Sequence, residues 1–523
     1  MSETAPLPPF DILVVGGGIN GAAVACDAAG RGLSVVLAEE RDFAEGTSSR
    51  SSKLIHGGLR YLETYDFRLV REALREREIL MARTPHLVWP IRLVLPHVPG
   101  LRPLWMIRLG LLLYDHLAPR RRLAPSETIA FAHHPAGAAL KPEFRRGFAY
   151  SDCRGDDARL VVANLLGAQQ HGARILARHR FVAARREGEV WDIQLENAIT
   201  AERLALRARA LVNAAGPWVI AAGAAIDGVG LKRRLRLVKG SHIVVPRQWE
   251  GDHGYYLQTR DGRTMEAFPF EDDFTSIGTT DQPWEEPAER VRIADREIDY
   301  MLAEVNRYFR KPVQRADVVW SYAGVRPLFE VGGARDSDLS TLTRDYSFDI
   351  DHRDGRTPVL TIFGGKLTTH RRLAEDALAK LAPFLRPPRP GATAQEVLPG
   401  GDLGPDVESF EASLKRDFPW LLEPQLRRYS RLYGARARAL LGSARALTDL
   451  GTPFGADLYQ REVDFLIETE WARTADDILW RRTKLGLRLT AAAVDRLSTY
   501  LAAAKKQPAR SGDPIPLPRS DGG

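Results

Sequence analysis

The chain has 523 residues, 44% hydrophobic and 27% charged, which is enough apolar material for two or three packed lobes and unlike the composition of a disordered protein. Its two cysteines, Cys26 and Cys153, exclude a disulfide framework or a cysteine-based metal site and fit a reducing cytoplasm; no metal is expected. A formal charge of +7 points to anionic partners without choosing among a phosphorylated substrate, lipid headgroups and nucleic acid. The Met1 to Pro9 segment is polar and proline-rich, with no signal pattern, and no later run approaches the roughly 18 apolar residues of a spanning helix.

In chain order, Asp11-Ile-Leu-Val-Val-Gly16-Gly-Gly18-Ile-Asn-Gly21 followed by Ser34 to Glu39 reads as strand, helix, strand. Gly16 permits the turn out of the strand, Gly18 admits a pyrophosphate to the backbone, Gly21 lets the helix pack closely, and Glu39 ends the second strand as a ribose-binding acid. A helix N-terminus stabilises the pyrophosphate charge, so the loop needs no lysine of its own. A serine-rich loop, Arg41 to Lys53 with Thr47, Ser48, Ser49 and Arg50, is suited to lie along a cofactor. Residues Phe67 to Met81 have helical periodicity, and strand-like runs recur at Arg203 to Asn213, Leu235 to Val245, Asp317 to Tyr322 and Pro358 to Phe363. Pro387 to Gly391 reads as a linker, after which helices are expected at Asp406 to Phe418, Pro424 to Leu441, Leu458 to Glu470 and Thr474 to Arg482.

Two further segments favour flavin over nicotinamide. Ala210 to Trp218 runs from a strand into small residues at Gly216, and Thr361 to Arg371 opens from a strand through Gly364, Gly365 and Lys366 into a helix. The start of that second helix, at Leu367 and Thr368, suits the pyrimidine end of an isoalloxazine ring, where negative charge collects on reduction.

His56-Gly-Gly-Leu-Arg60-Tyr61, Tyr150-Ser-Asp-Cys-Arg-Gly-Asp-Asp, Lys239-Gly-Ser-His242, Gly278-Thr-Thr-Asp281, Gly324-Val-Arg326-Pro, Thr343-Arg344-Asp-Tyr346 and Phe363-Gly-Gly-Lys366-Leu-Thr-Thr, in this order, resemble the motif series of the FAD-dependent, aerobic-type glycerol-3-phosphate dehydrogenases. Asp476 to Lys484 is similar to that family's helical domain, so the resemblance covers nearly the whole chain. It implies an α/β fold: an FAD-binding Rossmann-like domain, a mixed-sheet substrate domain and an all-α C-terminal domain. The core would span 10–388, with the FAD part at about 10–85, 150–235 and 325–388 and the substrate part at about 86–149 and 236–324; the helical domain would span 395–510.

The resemblance also implies oxidation of sn-glycerol 3-phosphate to dihydroxyacetone phosphate, with C2 hydride passing to tightly but noncovalently bound FAD and electrons to a membrane quinone. Arg326, Arg344 and Lys366 would hold phosphate or polarise the C2 oxygen, while Arg60 and Tyr61 close the pocket. His56 is the leading proton acceptor or flavin anchor, with His242, Tyr61 and an arginine-stabilised alkoxide as alternatives. A soluble oxidase using oxygen is the nearest competing reading, and an FAD-containing RNA-modifying protein a remote one; no nucleic-acid partner is expected. The helical domain would cover the substrate site, bind a partner or form a homodimer.

Two places depart from the family pattern: His370 stands where a tyrosine is usual, and Tyr256 to Phe270 is less typical than its surroundings. The stretch Pro85 to Pro125 interleaves Trp89, Trp105 and Tyr114 with aliphatics and with Arg92, Arg102, Arg108 and Arg120 to Arg122. That composition suits either a headgroup-level segment or a buried one with snorkelling arginines. Quinone reduction favours peripheral attachment to the cytoplasmic face of the inner membrane.

Overall fold

The computed structural model describes residues 8–504 except 64, 101, 232 and 330–344; Arg344 therefore lies outside the described residues. The glycine fingerprint forms β1 (Phe10–Val15), α1 (Ile19–Gly30) and β2 (Val35–Glu39). These belong to a sheet in which Arg356–Gly364, Arg203–Asn213, β1, β2 and Arg174–Ala177 lie side by side and parallel. The sequence could show this sheet only in scattered pieces, since its strands come from both ends of a 350-residue stretch. Helices α1, Asp157–Gln170 and His370–Leu385 bury Ala22, Val24, Leu160, Val161, Leu373 and Ala377 on one face. The hairpin His179–Glu187 and Val190–Asn197 covers the other face with Trp191, Ile193 and Leu195.

A second, mixed sheet of ten strands among the described residues carries the order Gln282–Trp284, Leu235–Pro246, Phe274–Gly278, Thr264–Phe270, Gly254–Gln258, Val88–Pro96, Arg146–Gly155 and Leu54–Ile55. Trp320–Phe329 pairs along Leu235–Pro246, and Glu127–Ala130 pairs with Arg146–Gly155. The chain thus changes sheets at places other than the expected domain limits. Arg146–Gly155 and Trp320–Phe329 straddle positions 150 and 325, and Leu54–Ile55 also joins this second sheet. The motif residues sit on strands that leave one sheet to flank the other, so motif positions are poor boundary markers. The strand expected at Asp317 to Tyr322 begins at Trp320, after a short turn at Arg315–Asp317.

The Pro85 to Pro125 stretch divides between its two readings. Val88–Pro96 is an interior strand with Ile91, Leu93, Val94 and Leu95 buried, and Tyr114 is buried. The helix Leu104–His116, however, presents Trp105, Met106, Leu109, Leu112 and Leu113 to solvent, Trp105 being 68% exposed. Composition could not separate the two because both halves are equally apolar. Among the described residues no helix is long and apolar enough to cross a membrane.

The C-terminal region is helical as expected, with three local differences. Pro424 to Leu441 breaks after Glu423–Tyr433, where Gly434 takes φ +53°. The Thr474 to Arg482 segment winds as a wide π-type turn at Asp477–Arg482, and an unpredicted alanine-rich helix closes the domain at Ala491–Ala504.

This domain grips the rest through buried ion pairs. Arg482 forks onto Asp42 at 2.8 and 2.9 Å, Arg178 reaches Asp477 at 2.8 Å, Lys484 meets Asp156 at 2.5 Å, and Arg159 donates to Glu470 and to the Leu432 carbonyl. Trp480 stacks on Trp320 with centroids 4.7 Å apart, and Trp471 meets Phe43 edge-on. Asp42 and Phe43 belong to the 41–53 loop, so the helical domain fixes the loop that the sequence associates with the cofactor.

Candidate active site

A cleft of about 320 Å³ opens at the C-terminal ends of β1 and β2, where open parallel sheets take their ligands. Gly16, Gly18, Ile19, Asn20, Glu39, Thr47, Ser48, Gly216, Gly364 and Gly365 line it. A Cβ at Gly21 would stand 1.9 Å from the Gly16 carbonyl oxygen, and one at Gly16, which has φ +108°, 2.7 Å from that of Ala214. Glycine is required at both positions by contact with backbone, which cannot yield. The Glu39 carboxylate accepts from the Gly17 and Arg41 amides at 2.7 and 2.8 Å; burial nevertheless raises its pKa. Ser48 Oγ accepts from the Ile19 amide at 3.0 Å, tying the serine loop to the start of α1.

The cleft continues, past the shared residues Thr47, Pro327, Gly364 and Gly365, into a second cavity of about 250 Å³. His56, Arg60, Tyr61, Arg326, Lys366, Leu367 and Thr368 line this cavity. They come from the 56–62 turn, the Trp320–Phe329 strand and the start of the 370–385 helix. Lys366 Nζ lies 4.0 Å from the centre of the Tyr61 ring. Arg326 pairs with Asp281 and donates to Thr279 Oγ1 at 3.2 Å, and Arg60 stands 3.9 Å from the other Asp281 oxygen. One wall is thus cationic and aligned by a single carboxylate, an arrangement suited to a phosphate dianion.

The turn bearing His56 is pinned from behind. The Gly57 amide donates to Tyr114 Oη at 2.8 Å and to Asp152 Oδ1 at 3.2 Å, and Asp152 in turn accepts from Arg77 at 2.5 Å and from Tyr114 at 2.9 Å. All three anchors are buried. Arg77 lies on the inward face of the Phe67–Arg83 helix beside Leu74 and Leu80, where periodicity alone gives no reason to place a charge.

His242 is not among the residues lining the cavity. It is buried behind the floor, stacked on Tyr322 at 4.7 Å with Nε2 3.1 Å from Ser52 Oγ, and burial beside Arg326 and Lys53 holds its pKa well below the usual range. His370 is buried as well: Nδ1 donates to the Leu367 carbonyl at 2.7 Å, Asn164 approaches Nε2 at 3.4 Å, and burial pushes its pKa down to about 3. It braces the helix start instead of facing the cavity. Ser49 lies in the serine loop, where its carbonyl accepts from Lys53 at 2.9 Å, and it lines neither space. Gly21 contributes through helix packing.

Contiguous clefts of this kind, a glycine-cradled nucleotide groove leading into a charged cavity between two sheets, define a dinucleotide-dependent oxidoreductase architecture. The chain belongs to the FAD dependent oxidoreductase family, whose sequence profile matches residues 11–371, and the C-terminal domain of alpha-glycerophosphate oxidase matches 391–509. It is 49% identical over 505 residues to a glycerol-3-phosphate dehydrogenase of Pseudomonas aeruginosa, covering 96% of each chain. It is also 49% identical to a D-erythritol 1-phosphate dehydrogenase of Brucella abortus, covering 92% of this chain and 95% of that one. Among solved structures it resembles the FAD complex of the Bacillus halodurans glycerol-3-phosphate dehydrogenase, with a TM-score of 0.74, 27% identity and coverage of 95% and 90%.

FAD is the cofactor, and the residues present fit it. Gly16 and Gly18 line the cleft at the start of α1, where bare backbone would face a pyrophosphate, and Asn20 Oδ1, buried with no hydrogen-bond partner among the described residues, can accept from a hydroxyl or N–H of the cofactor. Arg41, Arg50 and Trp218 fall in segments the sequence associates with the cofactor; it missed His179, Arg180 and Phe181 on the nucleotide cleft, and Tyr150, Asp152, Tyr256, Thr264 and Glu266 on the cavity. Asp152 and Asp281 stood within quoted motifs, so the available signal was an acid adjoining an arginine-bearing motif.

Proposed function

We propose that the protein oxidises sn-glycerol 3-phosphate to dihydroxyacetone phosphate and delivers the electrons to a membrane quinone. The observation that carries this reading is the cavity adjoining the FAD cleft, with Arg60, Arg326 and Lys366 on its wall. FAD, when bound, supplies the acceptor for the hydride of C2. Arg326 and Lys366 hold the phosphate and polarise the C2 oxygen, and Arg60 and Tyr61 shut the mouth. Asp281 keeps both guanidinium groups aligned until the phosphate competes for them. Loss of the C2 hydroxyl proton requires an acceptor or a stabilised alkoxide. His56 lines the cavity and His242 does not, which favours His56, positioned through Gly57 by the Asp152, Arg77 and Tyr114 network.

Relatives of equal overall identity carry names with three-carbon and four-carbon substrates, so identity leaves the carbon number open. The exposed row Trp105, Met106, Leu109, Leu112 and Leu113 supports attachment to an anionic inner-membrane surface with nearby Arg121 and Arg122, and hence quinone over oxygen.

The test is anaerobic. Glycerol 3-phosphate is expected to bleach the visible flavin band of the purified protein, with glycerol as the silent control. Turnover with a soluble quinone should then exceed peroxide formation in air; peroxide as the main product would replace the quinone reading with an oxidase.

A further inference from the structure

Two of the sequence motifs, Lys239-Gly-Ser-His242 and Gly278-Thr-Thr-Asp281, meet behind the cationic wall of the cavity. Along the strand Leu235–Pro246 successive side chains point to opposite faces of the sheet. Val238 is in register with Arg326 and Gly240 with Gly324, so Gly240 lies on the Arg326 face while Lys239 and Ser241 lie on the reverse. A Cβ at Gly240 would stand 2.6 Å from Arg326 Nη2 and 2.7 Å from Thr279 Oγ1, so the bare backbone there makes room for the guanidinium. The turn after Phe274–Gly278 alternates in the same way. Thr279 and Asp281 line the cavity and both meet Arg326, whereas Thr280 is buried and turned away.

Thr280 turns to a buried carboxylate. Glu297, in the first turn of the Asp295–Val305 helix, reaches the reverse face of the sheet. Its Oε1 accepts from Thr280 Oγ1 at 2.8 Å and from Ser241 Oγ at 2.9 Å, and its Oε2 accepts from the Ala294 amide at 2.8 Å and pairs with Lys239 Nζ at 2.6 Å. The Ser241 amide donates to Thr280 Oγ1 at 3.0 Å, which closes a ring between strand, turn and helix. Lys239, Ser241, Thr280 and Glu297 are all buried. Well-packed apolar side chains often match or exceed a buried ion pair in stability, so stability gives little reason for this one. A carboxylate with four directed donors fixes geometry instead.

We propose that Glu297 is a positioning residue of the substrate site: by holding Thr280 and Ser241 it sets the Thr279–Asp281 turn, and through that turn the aim of Arg326 at the substrate phosphate. This rests on the polyol-phosphate reading above and deepens it. A turn released from Glu297 carries Thr279 and Asp281 together off Arg326, so phosphate binding weakens. The nucleotide cleft contains none of these residues and keeps its cofactor.

The test measures KM for glycerol 3-phosphate and the Ki of inorganic phosphate in the holoenzyme with an artificial electron acceptor. Thr280→Val keeps the side-chain shape and removes the hydroxyl. It is expected to raise both constants about tenfold, the equivalent of one hydrogen bond to a charged group, with flavin content unchanged and a smaller fall in kcat. Thr280→Ser, which restores the hydroxyl, is expected to stay near the wild type. Glu297→Gln should act in the same direction and add little to Thr280→Val in the double variant, because both break one contact. Should the valine variant lose its flavin, Ser241→Ala provides the same readout with a smaller rise. Unchanged KM and Ki in Thr280→Val, a KM that stays high in Thr280→Ser, or loss of flavin in both Thr280→Val and Ser241→Ala overturns this inference and leaves the proposed function intact. A wild type whose flavin glycerol 3-phosphate does not reduce overturns the proposed function, and this inference with it.

Discussion

The nucleotide cleft and the adjoining cavity share four residues yet are built on opposite principles. The cleft is made of backbone: Gly16, Gly18, Gly364 and Gly365 line it by what they lack, and Gly21 lets α1 pack against Gly16 to hold it open. The cavity is made of charged side chains delivered from the 56–62 turn, the second sheet and the 366–369 helix start, each held by a carboxylate or ring elsewhere. A backbone site tolerates no added atom, whereas a side-chain site loses function in proportion to the group removed.

The largest effect on flavin content is therefore expected at Gly21. Gly21→Val puts a side chain against the Gly16 carbonyl, and FAD affinity should fall by about 100-fold or more, the upper end of overpacking costs; the purified protein should be colourless, and retained yellow colour would refute the close-packing account. Next comes the loop closing the cleft. Arg482→Met leaves Asp42 buried beside Arg481 alone, with an expected loss of roughly 3–5 kcal/mol in thermal unfolding, partly recovered in the Asp42→Asn, Arg482→Met double variant.

On the side-chain site, Arg326→Met should retain flavin while kcat/KM for glycerol 3-phosphate falls by about 30- to 150-fold, corresponding to roughly 2–3 kcal/mol for a charged contact. A drop in flavin content instead would mean that the two spaces are less separable than their construction implies.

The smallest effect is in acid. Burial alone would raise Glu470 and Asp477, but Arg159 and Arg436 hold Glu470 at about 2, and Arg481 and Arg178 hold Asp477 at about 2. Both are depressed from ordinary values of 4.5 and 3.8, so the folded state binds fewer protons than the unfolded one. Their contribution is complete above those values and is lost as pH falls toward about 2. The midpoint of thermal unfolding should decline through that window, and less steeply in Glu470→Gln.

The same contrast explains what the sequence could reveal. The cleft was legible from residues 11–39 because a backbone motif is local: the glycine spacing is itself the structure. The parallel sheet could be sensed only piecemeal, since Arg203–Asn213 and Arg356–Gly364 are joined by hydrogen bonds that leave no mark in sequence. For the cavity, Arg60, Arg326 and Lys366 were found through the resemblance and not through any spacing of their own. Tyr256 and Glu266 escaped because cross-strand pairing, not proximity in the chain, brings them together. Asp152, on the strand Arg146–Gly155, and Arg77, on an apolar helical face, were missed because a charge at such a position is ordinarily a reason to doubt burial, and here each is buried by virtue of the other.

The ion pairs between the helical domain and the 41–53 loop also order events during synthesis. A nascent chain that has emerged as far as residue 390 already carries the glycine fingerprint, both strands beside it and every cavity residue named above. It does not yet have Arg481, Arg482 or Lys484, so Asp42 and Asp156 must stay hydrated and the serine loop, though tied to Ile19 through Ser48, lacks its second clasp. The dinucleotide groove is thus among the first parts translated, while the ion pairs that clasp its loop form only once the last quarter of the polypeptide has folded back onto the first tenth.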